Sequence, residues 1–520
     1  MTQPRAPYPP RVPLGPGDSP SETPTLQASP AATETSPAPF GARVRSAVAW
    51  RWGAQVGSQL ITWTSTFMVV RLLDPTDYGL FAMCQVILTA LAFLNGQSFA
   101  TSLVQAADVD ERRIGQVFGL LLLFAVSLCA VQIAIAPMAA HYFGEPIVAD
   151  MLRLQAVMYF TVPFIALPSA LLSRKLEFRR QAQANMASAV FGAVVAPSLA
   201  WLGYGVWSLV WAGIAIFVSR AVFLTLASRL WVRPVFNPAG AWDLFTFGGL
   251  LTLCQLFWII QSQADIVIAG RVLPTYELGL YSQALFLTLI ITARLLPPLN
   301  EVALAAYSEL HREGKPLAPY FLKTARLVMM ASAPAFIGLS LTSEAAVLTL
   351  MGEKWARTAP IVEGLALAMP AFALHLICAP GTNAMGRPKV YLFTSVCGAL
   401  IMPVAFLIGI SAGTMGLVHA WWIAAPLLCG ITLTATLPRI ALSPLALART
   451  LAPIALACGL MSFTVASFQA LVPLAIPFVS LITSAALGAG VYGVTLWLVA
   501  RSEMLEAWAM LRPAPAQTSA

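Results

Sequence analysis

About fourteen apolar stretches follow one another along the chain, each separated from the next by a short polar or basic segment. They run approximately 46–70, 78–103, 114–140, 151–173, 181–203, 206–228, 243–270, 278–303, 322–342, 359–383, 388–410, 415–438, 446–470 and 474–500. A helix rises 1.5 Å per residue, so about 20 apolar residues cross about 30 Å of hydrocarbon. Each run therefore predicts a transmembrane helix, with ends uncertain by about three residues. Ten-residue alternating strands are absent, which argues against a barrel. Composition agrees: 58% of residues are hydrophobic and 10% charged, with a mean hydropathy of +0.78, against roughly a quarter charged in soluble domains. The expected class is an all-α polytopic membrane protein.

The second pattern is an internal echo. Arg71-Leu72-Leu73 followed by Gly79-Leu80-Phe81 returns as Arg271-Val272-Leu273 followed by Gly279-Leu280-Tyr281, and Phe143-Gly144-Glu145 returns as Met351-Gly352-Glu353. The first echo follows the first apolar run and then the seventh. Six helices separate the copies, and an even number leaves the two halves in the same orientation, as in parallel repeats about an axis along the membrane normal. The expected organisation is an N-lobe at 43–230, a C-lobe at 231–440, two further helices at 441–501 and a cytoplasmic tail at 502–520. Duplicated membrane units of this kind are commonly transporters with a path between the halves. Prolines well inside several runs, among them Pro168, Pro297, Pro298, Pro370 and Pro426, predict bends suited to such a path.

Residues 1–42 differ in kind. Eleven of the 38 prolines lie in the first forty positions among Ser, Thr, Ala and Gly. Such a segment buries too little apolar surface to order itself, and it is expected to be a disordered cytoplasmic arm. Lys and Arg then set the orientation. With the N-terminus inside, 23 of the 30 basic residues fall on the cytoplasmic side, five on the other (Arg71, Arg153, Arg271, Lys354, Arg357), and Arg220 and Arg294 fall within helices. Both termini should be cytoplasmic. The net charge of +8 is thus mainly a topology signal with affinity for anionic lipid. The seven cysteines lie singly in apolar runs, and the four histidines lack ligand spacing. No metal site, cofactor or disulfide framework is expected.

The polar residues of the first run, Arg51, Gln55, Ser58, Gln59, Thr62, Ser65 and Thr66, recur at steps of three and four. That spacing gathers them on one helical face. The seventh run carries Thr252, Gln255, Ser262, Gln263 and Asp265 over a similar length. Such faces either line a cavity or bond neighbouring helices. Charges inside spans are costly and usually mark a path or a partner. Arg294 has Glu301 on nearly the same face, and it either pairs with that carboxylate, snorkels to the interface, or serves a substrate. Asp265 either pairs locally with Arg271 or couples an ion, and Glu301 is the other acid suited to ion coupling. Arg71 and Arg271 occupy equivalent loop positions, suited to a cap or turn contact as much as to a ligand.

The segment from Arg71 to Leu80 (RLLDPTDYGL) resembles the one that follows the first helix of bacterial polysaccharide exporters of the Wzx flippase type, in the MOP transporter superfamily. Asp265 through Gly270-Arg271, and Leu278-Gly279-Leu280-Tyr281, look like a second signature of that family. Shorter likenesses fall at Ser173–Phe178, Gly352–Trp355 and Gly386–Pro388, and the resemblance covers roughly residues 43–440. It implies a flippase that carries an undecaprenyl-diphosphate-linked oligosaccharide from the cytoplasmic to the periplasmic leaflet of the inner membrane, for lipopolysaccharide or exopolysaccharide export. It also implies a polysaccharide polymerase and a chain-length regulator as partners. Because lipid II flippases use cavity arginines for the diphosphate, Arg51 and Arg294 are the implied counterparts here, beside Gln55, Gln59, Thr62 and Gln255 as polar lining. The alternatives are a cation-coupled multidrug extruder of the same superfamily, disfavoured because the first run lacks an acid, and a membrane-embedded polymerase or ligase, disfavoured by the short external loops.

Overall fold

The computed structural model describes residues 57–92, 111–175, 177–229, 232–236, 249–502 and 504–505. With no water in the hydrocarbon to bond a free backbone, the apolar runs satisfy their own amides as helices. These are α1 (57–72), α2 (Pro75–Ala92), α3 (Glu111–Phe143), and α4 (Ile147–Gln155), which passes through one 3-10 segment into α5 (Val162–Arg174). Next come α6 (Phe178–Trp201), α7 (Trp207–Ser228), α8 (Gly249–Val272) and α9 (Thr275–Arg312). Then follow α10 (Ala318–Leu341), α11 (Ser343–Leu350), α12 (Ala359–Leu376), α13 (Cys378–Ala384), α14 (Pro388–Gly409), α15 (Gly413–Thr436), α16 (Pro444–Leu471) and α17 (Pro477–Val499). Every one of the fourteen apolar runs coincides with one or two of these helices, although the ends of the first, second and seventh runs lie partly outside the described residues. Among the described residues no strand occurs. The chain is an all-α multi-pass membrane protein.

The two echoes are helix punctuation. Pro75 and Thr275 open α2 and α9, each preceded by the Arg-x-Leu segment. The third residue of each helix is an acid, Asp77 or Glu277, placed where the exposed N–H groups and the helix dipole favour negative charge. The Asp77 carboxylate accepts a bond from the Asp74 N–H at 3.1 Å. Gly144 and Gly352 both have positive φ, +75° and +95°, and follow α3 and α11 in backbone conformations that glycine takes at least cost.

Within the first half α6 packs along α7, and α7 against α5; in the second half α8, α14, α15, α12 and α10 form a continuous series of neighbours. The largest contact between the halves is α2 laid along α9, with α8 beside it. α16 and α17 pair with each other and pack on α10 and α11, where the Tyr492 hydroxyl donates to the Met330 carbonyl at 2.9 Å. The seven cysteines are free thiols.

Candidate functional site: a latched cavity between the halves

At the start of α2 and α9 the two helices meet backbone to backbone. A methyl group added at Gly79 would lie 2.0 Å from the Thr275 carbonyl oxygen, and one at Gly279 would lie 1.7 Å from the Pro75 carbonyl oxygen. Only a residue without Cβ permits this approach, and each repeat glycine faces the first residue of the other copy's helix. The repeated arginines extend the same reciprocity. Arg71 donates through Nε to the Leu350 carbonyl at 3.2 Å and also bonds the Thr349 carbonyl, while Arg271 donates to the Tyr142 carbonyl at 2.7 Å. Both sets of acceptors immediately precede the x-Gly-Glu segment of the opposite half. The two sequence echoes are therefore the two sides of one cross-half latch.

Further bonds close it. Trp355, fully buried, donates its indole N–H to the Val70 carbonyl at 2.9 Å and meets Tyr78 edge to face at 5.5 Å. Lys354 reaches the Leu72 carbonyl at 3.1 Å and the Asp74 carboxylate at 3.3 Å, and Thr275 donates to Glu145 at 2.5 Å. Arg271 also lies over the Tyr142 ring, 5.8 Å from its centroid. The ionic contacts are exposed and worth about 0–1 kcal/mol each. The Trp355 bond is buried, and losing it would strand a carbonyl at a cost of about 1–3 kcal/mol.

Beneath the latch lies a cavity of about 680 Å³ walled by α2, α8, α9, α12 and α15. Along α9 it extends from Ser282 to Asn300, a rise of about 27 Å. Its polar lining includes Gln85, Thr89, Ser262, Gln263, Gln283 and Asn300, and Trp258, Phe372 and Trp421 form an aromatic wall. Trp258 and Phe372 stack at 6.4 Å and Phe372 meets Trp421 edge to face at 5.4 Å. Two smaller chambers adjoin it, one of about 430 Å³ in the first half and one of about 340 Å³ between the first half and Gln283 and Phe286 of α9. Phe81 and Gln85 of α2 line all three.

Asp265 is 2% exposed in this wall. Its carboxylate accepts bonds from the Tyr281 hydroxyl at 3.0 Å and the Ile266 N–H at 2.8 Å, and the Trp421 indole N–H in turn donates to the Tyr281 oxygen at 3.0 Å. Its partners are neutral, and no ion pair reaches it among the described residues. Arg271, the local partner considered from sequence, is drawn instead to the α3 terminus across the seam.

The other residues singled out from sequence are dispersed. Thr62, Ser65 and Thr66 line the 340 Å³ chamber, and Ser65 also bonds the Ala193 carbonyl of α6 at 3.1 Å. Gln59 is half-buried, with its amide nitrogen unpartnered among the described residues. Gln255 is half-buried and outside the cavity linings given above. Arg294 and Glu301 are both exposed and are not bonded to each other. Arg51, Gln55 and the 1–42 arm lie outside the described residues. Gln85, Trp258, Phe372 and Trp421 were missed. Gln85 carried a visible signal, as a lone amide within an apolar run, whereas aromatics within such runs carry none. Among the described residues no cluster of three or more His, Cys, Asp or Glu occurs.

A family model described as polysaccharide biosynthesis protein matches residues 68–360, more than half of the chain. The chain belongs to the polysaccharide biosynthesis protein family. It is 24% identical over 477 residues to the succinoglycan biosynthesis transport protein ExoT of Rhizobium meliloti (strain 1021), a match covering 88% of this chain and 93% of that protein. It is 20% identical over 328 residues to the lipopolysaccharide biosynthesis protein WzxC of Escherichia coli (strain K12), covering 62% and 63%. Its fold is that of the lipid II flippase MurJ in an inward closed conformation, with a TM-score of 0.70 over 87% of this chain and 99% of that one at 13% identity. The stretch matched to the polysaccharide biosynthesis protein family begins three residues before Arg71 and ends three after Arg357. It therefore contains both sides of the latch, and stops short of Phe372 and Trp421.

Proposed function

We propose that this protein flips an undecaprenyl-diphosphate-linked oligosaccharide from the cytoplasmic to the periplasmic leaflet of the bacterial inner membrane, for export of a surface polysaccharide. The observation that carries the reading is the chambered cavity: about 27 Å deep along α9, with amides, hydroxyls and aromatic faces suited to sugars set in a largely apolar wall, and sealed at one end by the latch. Two six-helix lobes, 43–230 and 231–440, rock about the seam of α2 and α9, so that the latch closes while the opposite end is open and parts when it closes. The basic-residue asymmetry supports an orientation with both termini in the cytoplasm and the latch at the periplasmic face, in which the cavity loads from the cytoplasm. The prenyl tail stays in lipid while the head group occupies the chambers.

In this scheme Thr62, Gln59 and the neighbouring hydroxyls of α1 contact the sugars, and Gln55 and Arg51, next in the same sequence spacing, are further candidates for the head group. Asp265 is the stronger of the two coupling candidates, because a buried carboxylate with neutral partners in the cavity wall can exchange a proton or cation as the cavity opens. Glu301, one residue beyond Asn300 at the cavity's far end, is the other. The protein acts as a carrier and leaves polymerisation to a separate enzyme.

The test is deletion of the gene in its host, followed by mass analysis of lipid-linked oligosaccharides and of surface polysaccharide. The expected result is accumulation of completed lipid-linked units in the cytoplasmic leaflet with loss of surface polymer. Units accumulating in the periplasmic leaflet would assign the protein to a later enzymatic step. Unchanged lipid pools with altered drug tolerance would assign it to drug extrusion.

A further inference from the structure

The 430 Å³ chamber of the first half holds a cation that meets no counter-ion among the described residues. Arg220 sits on α7, thirteen residues from the start of a helix that spans Trp207–Ser228, which places it about 20 Å along the span. It lines the chamber with Gln85, Thr89, Gln155 and Tyr159. Its Nε is buried, and among the described residues it has no partner. Gln155, 2% exposed in the same wall, likewise has its Oε1 unpartnered, and an amide can turn either its oxygen or its NH2 toward a ligand. The wall beside them is fixed: the Tyr159 hydroxyl donates to Gln132 at 2.7 Å, and Gln132 donates to the Leu152 carbonyl at 2.7 Å. Among the described residues no carboxylate lines the chamber.

An arginine within a membrane span is costly unless something compensates it. Among the described residues nothing does so, yet further donors surround the same space. Phe81, Gln85 and Thr89 step by four along α2, so one helical face turns toward this chamber and the main cavity together. The same helical face therefore borders both spaces. We infer that Arg220, with Gln155, Gln85 and Thr89, forms an oxyanion subsite that holds the phosphate-bearing end of the cargo while its sugars lie in the main cavity. The inference rests on the flippase reading for the identity of the oxyanion. The subsite itself rests on the unpartnered guanidinium and amide.

The test uses the full chain purified in lipid nanodiscs, with binding of three probes followed by native mass spectrometry: undecaprenyl diphosphate, undecaprenol and phosphatidylglycerol. Arg220→Gln should weaken undecaprenyl diphosphate about 10- to 100-fold, the range of a lost charge-assisted bond, and leave undecaprenol unchanged. Arg220→Lys, which keeps the charge but not the fork of donors, should fall between. An unchanged melting temperature excludes misfolding, and Gln155→Leu, which leaves the arginine in place, gives an independent reading of the same site. Equal binding of undecaprenyl diphosphate by wild type and Arg220→Gln would overturn the proposal. A loss confined to phosphatidylglycerol would overturn the cargo assignment in favour of an ordinary lipid head group. Failure of the flippase reading would show separately, in the lipid pools of the deletion strain, and would not depend on Arg220.

Discussion

If the seam between α2 and α9 is the closing surface, a single methyl group should hold it ajar. The methyl of Gly79→Ala would sit 2.0 Å from the Thr275 carbonyl oxygen, where ordinary contact begins at 3.4 Å. The obstacle is backbone rather than the end of a flexible side chain, so the helices must part by about 1.4 Å or the chain must deform. Overpacking of this kind costs about 1–3 kcal/mol, which changes the ratio of closed to open forms about 5- to 150-fold. Gly279→Ala, with its methyl at 1.7 Å, should do at least as much. The assay is the rate at which a single cysteine at Gln283, in a variant lacking the seven native thiols, reacts with an impermeant maleimide added from the latch side. Gln283 lines the cavity and is 8% exposed, so its labelling reports opening. Gly430→Ala, a position with nothing within 4 Å of the added methyl, should label at the parent rate. If Gly79→Ala and Gly279→Ala both fold normally and also label at the parent rate, the seam is not the surface that opens.

Other substitutions separate the parts of the site. Arg71→Ala and Arg271→Ala each remove an exposed charge–carbonyl contact, so each should raise Gln283→Cys labelling only a few-fold. Their double variant should give the product of the two effects, because they act at separate acceptors; a single effect as large as that of Gly79→Ala would mean that the arginines dominate the latch. Trp355→Phe leaves the Val70 carbonyl unpaired and should lower stability by about 1–3 kcal/mol, read as a fall in melting temperature in detergent. Asp265→Asn should reduce polysaccharide export at least tenfold with protein level unchanged, and Tyr281→Phe, which strips the carboxylate of its hydroxyl donor, should shift the pH dependence of export. Wild-type export by Asp265→Asn at every pH would remove that carboxylate from the cycle.

The spans were legible because a 20-residue apolar run has one stable form in lipid, the helix. The loop motifs were legible because they repeat. Their pairing was not: nothing in Arg71-Leu72-Leu73 names Thr349 and Leu350 as its acceptors, and the two are 278 and 279 positions away. The charged residues within spans show the same boundary. Arg220 and Arg294 both sit deep in apolar runs, and an almost uniformly apolar helix carries no periodicity to say which way either side chain faces. The structure turns Arg220 into a chamber and leaves Arg294 exposed. Asp265 had an arginine six residues on, yet its oxygens meet Tyr281 of the next helix, because Arg271 is held at the end of α3.

Comparing the halves at the offset of two hundred shows which features the duplication preserved. At the latch it preserved Arg71 with Arg271 and Gly79 with Gly279, each of which makes a cross-half contact, and an acid at 77 and 277 that bonds within its own half. In the cavity it preserved little. Asp265 stands where the first half has Ser65, Tyr281 where it has Phe81, Gln85 where the second half has Leu285, and Thr89 where it has Leu289. A seam between two related surfaces closes best when both present the same backbone geometry, so its glycines and capping arginines recur. A cargo with an anionic end and a sugar end has no such symmetry. Its path is better served by a first half that gathers donors around an unpaired guanidinium and a second half that offers aromatic faces and a buried carboxylate. On this reasoning, restoring symmetry by Asp265→Ser should spare latch closure, measured by Gln283→Cys labelling, while reducing export; a change in labelling without a change in export would place Asp265 in the gate instead.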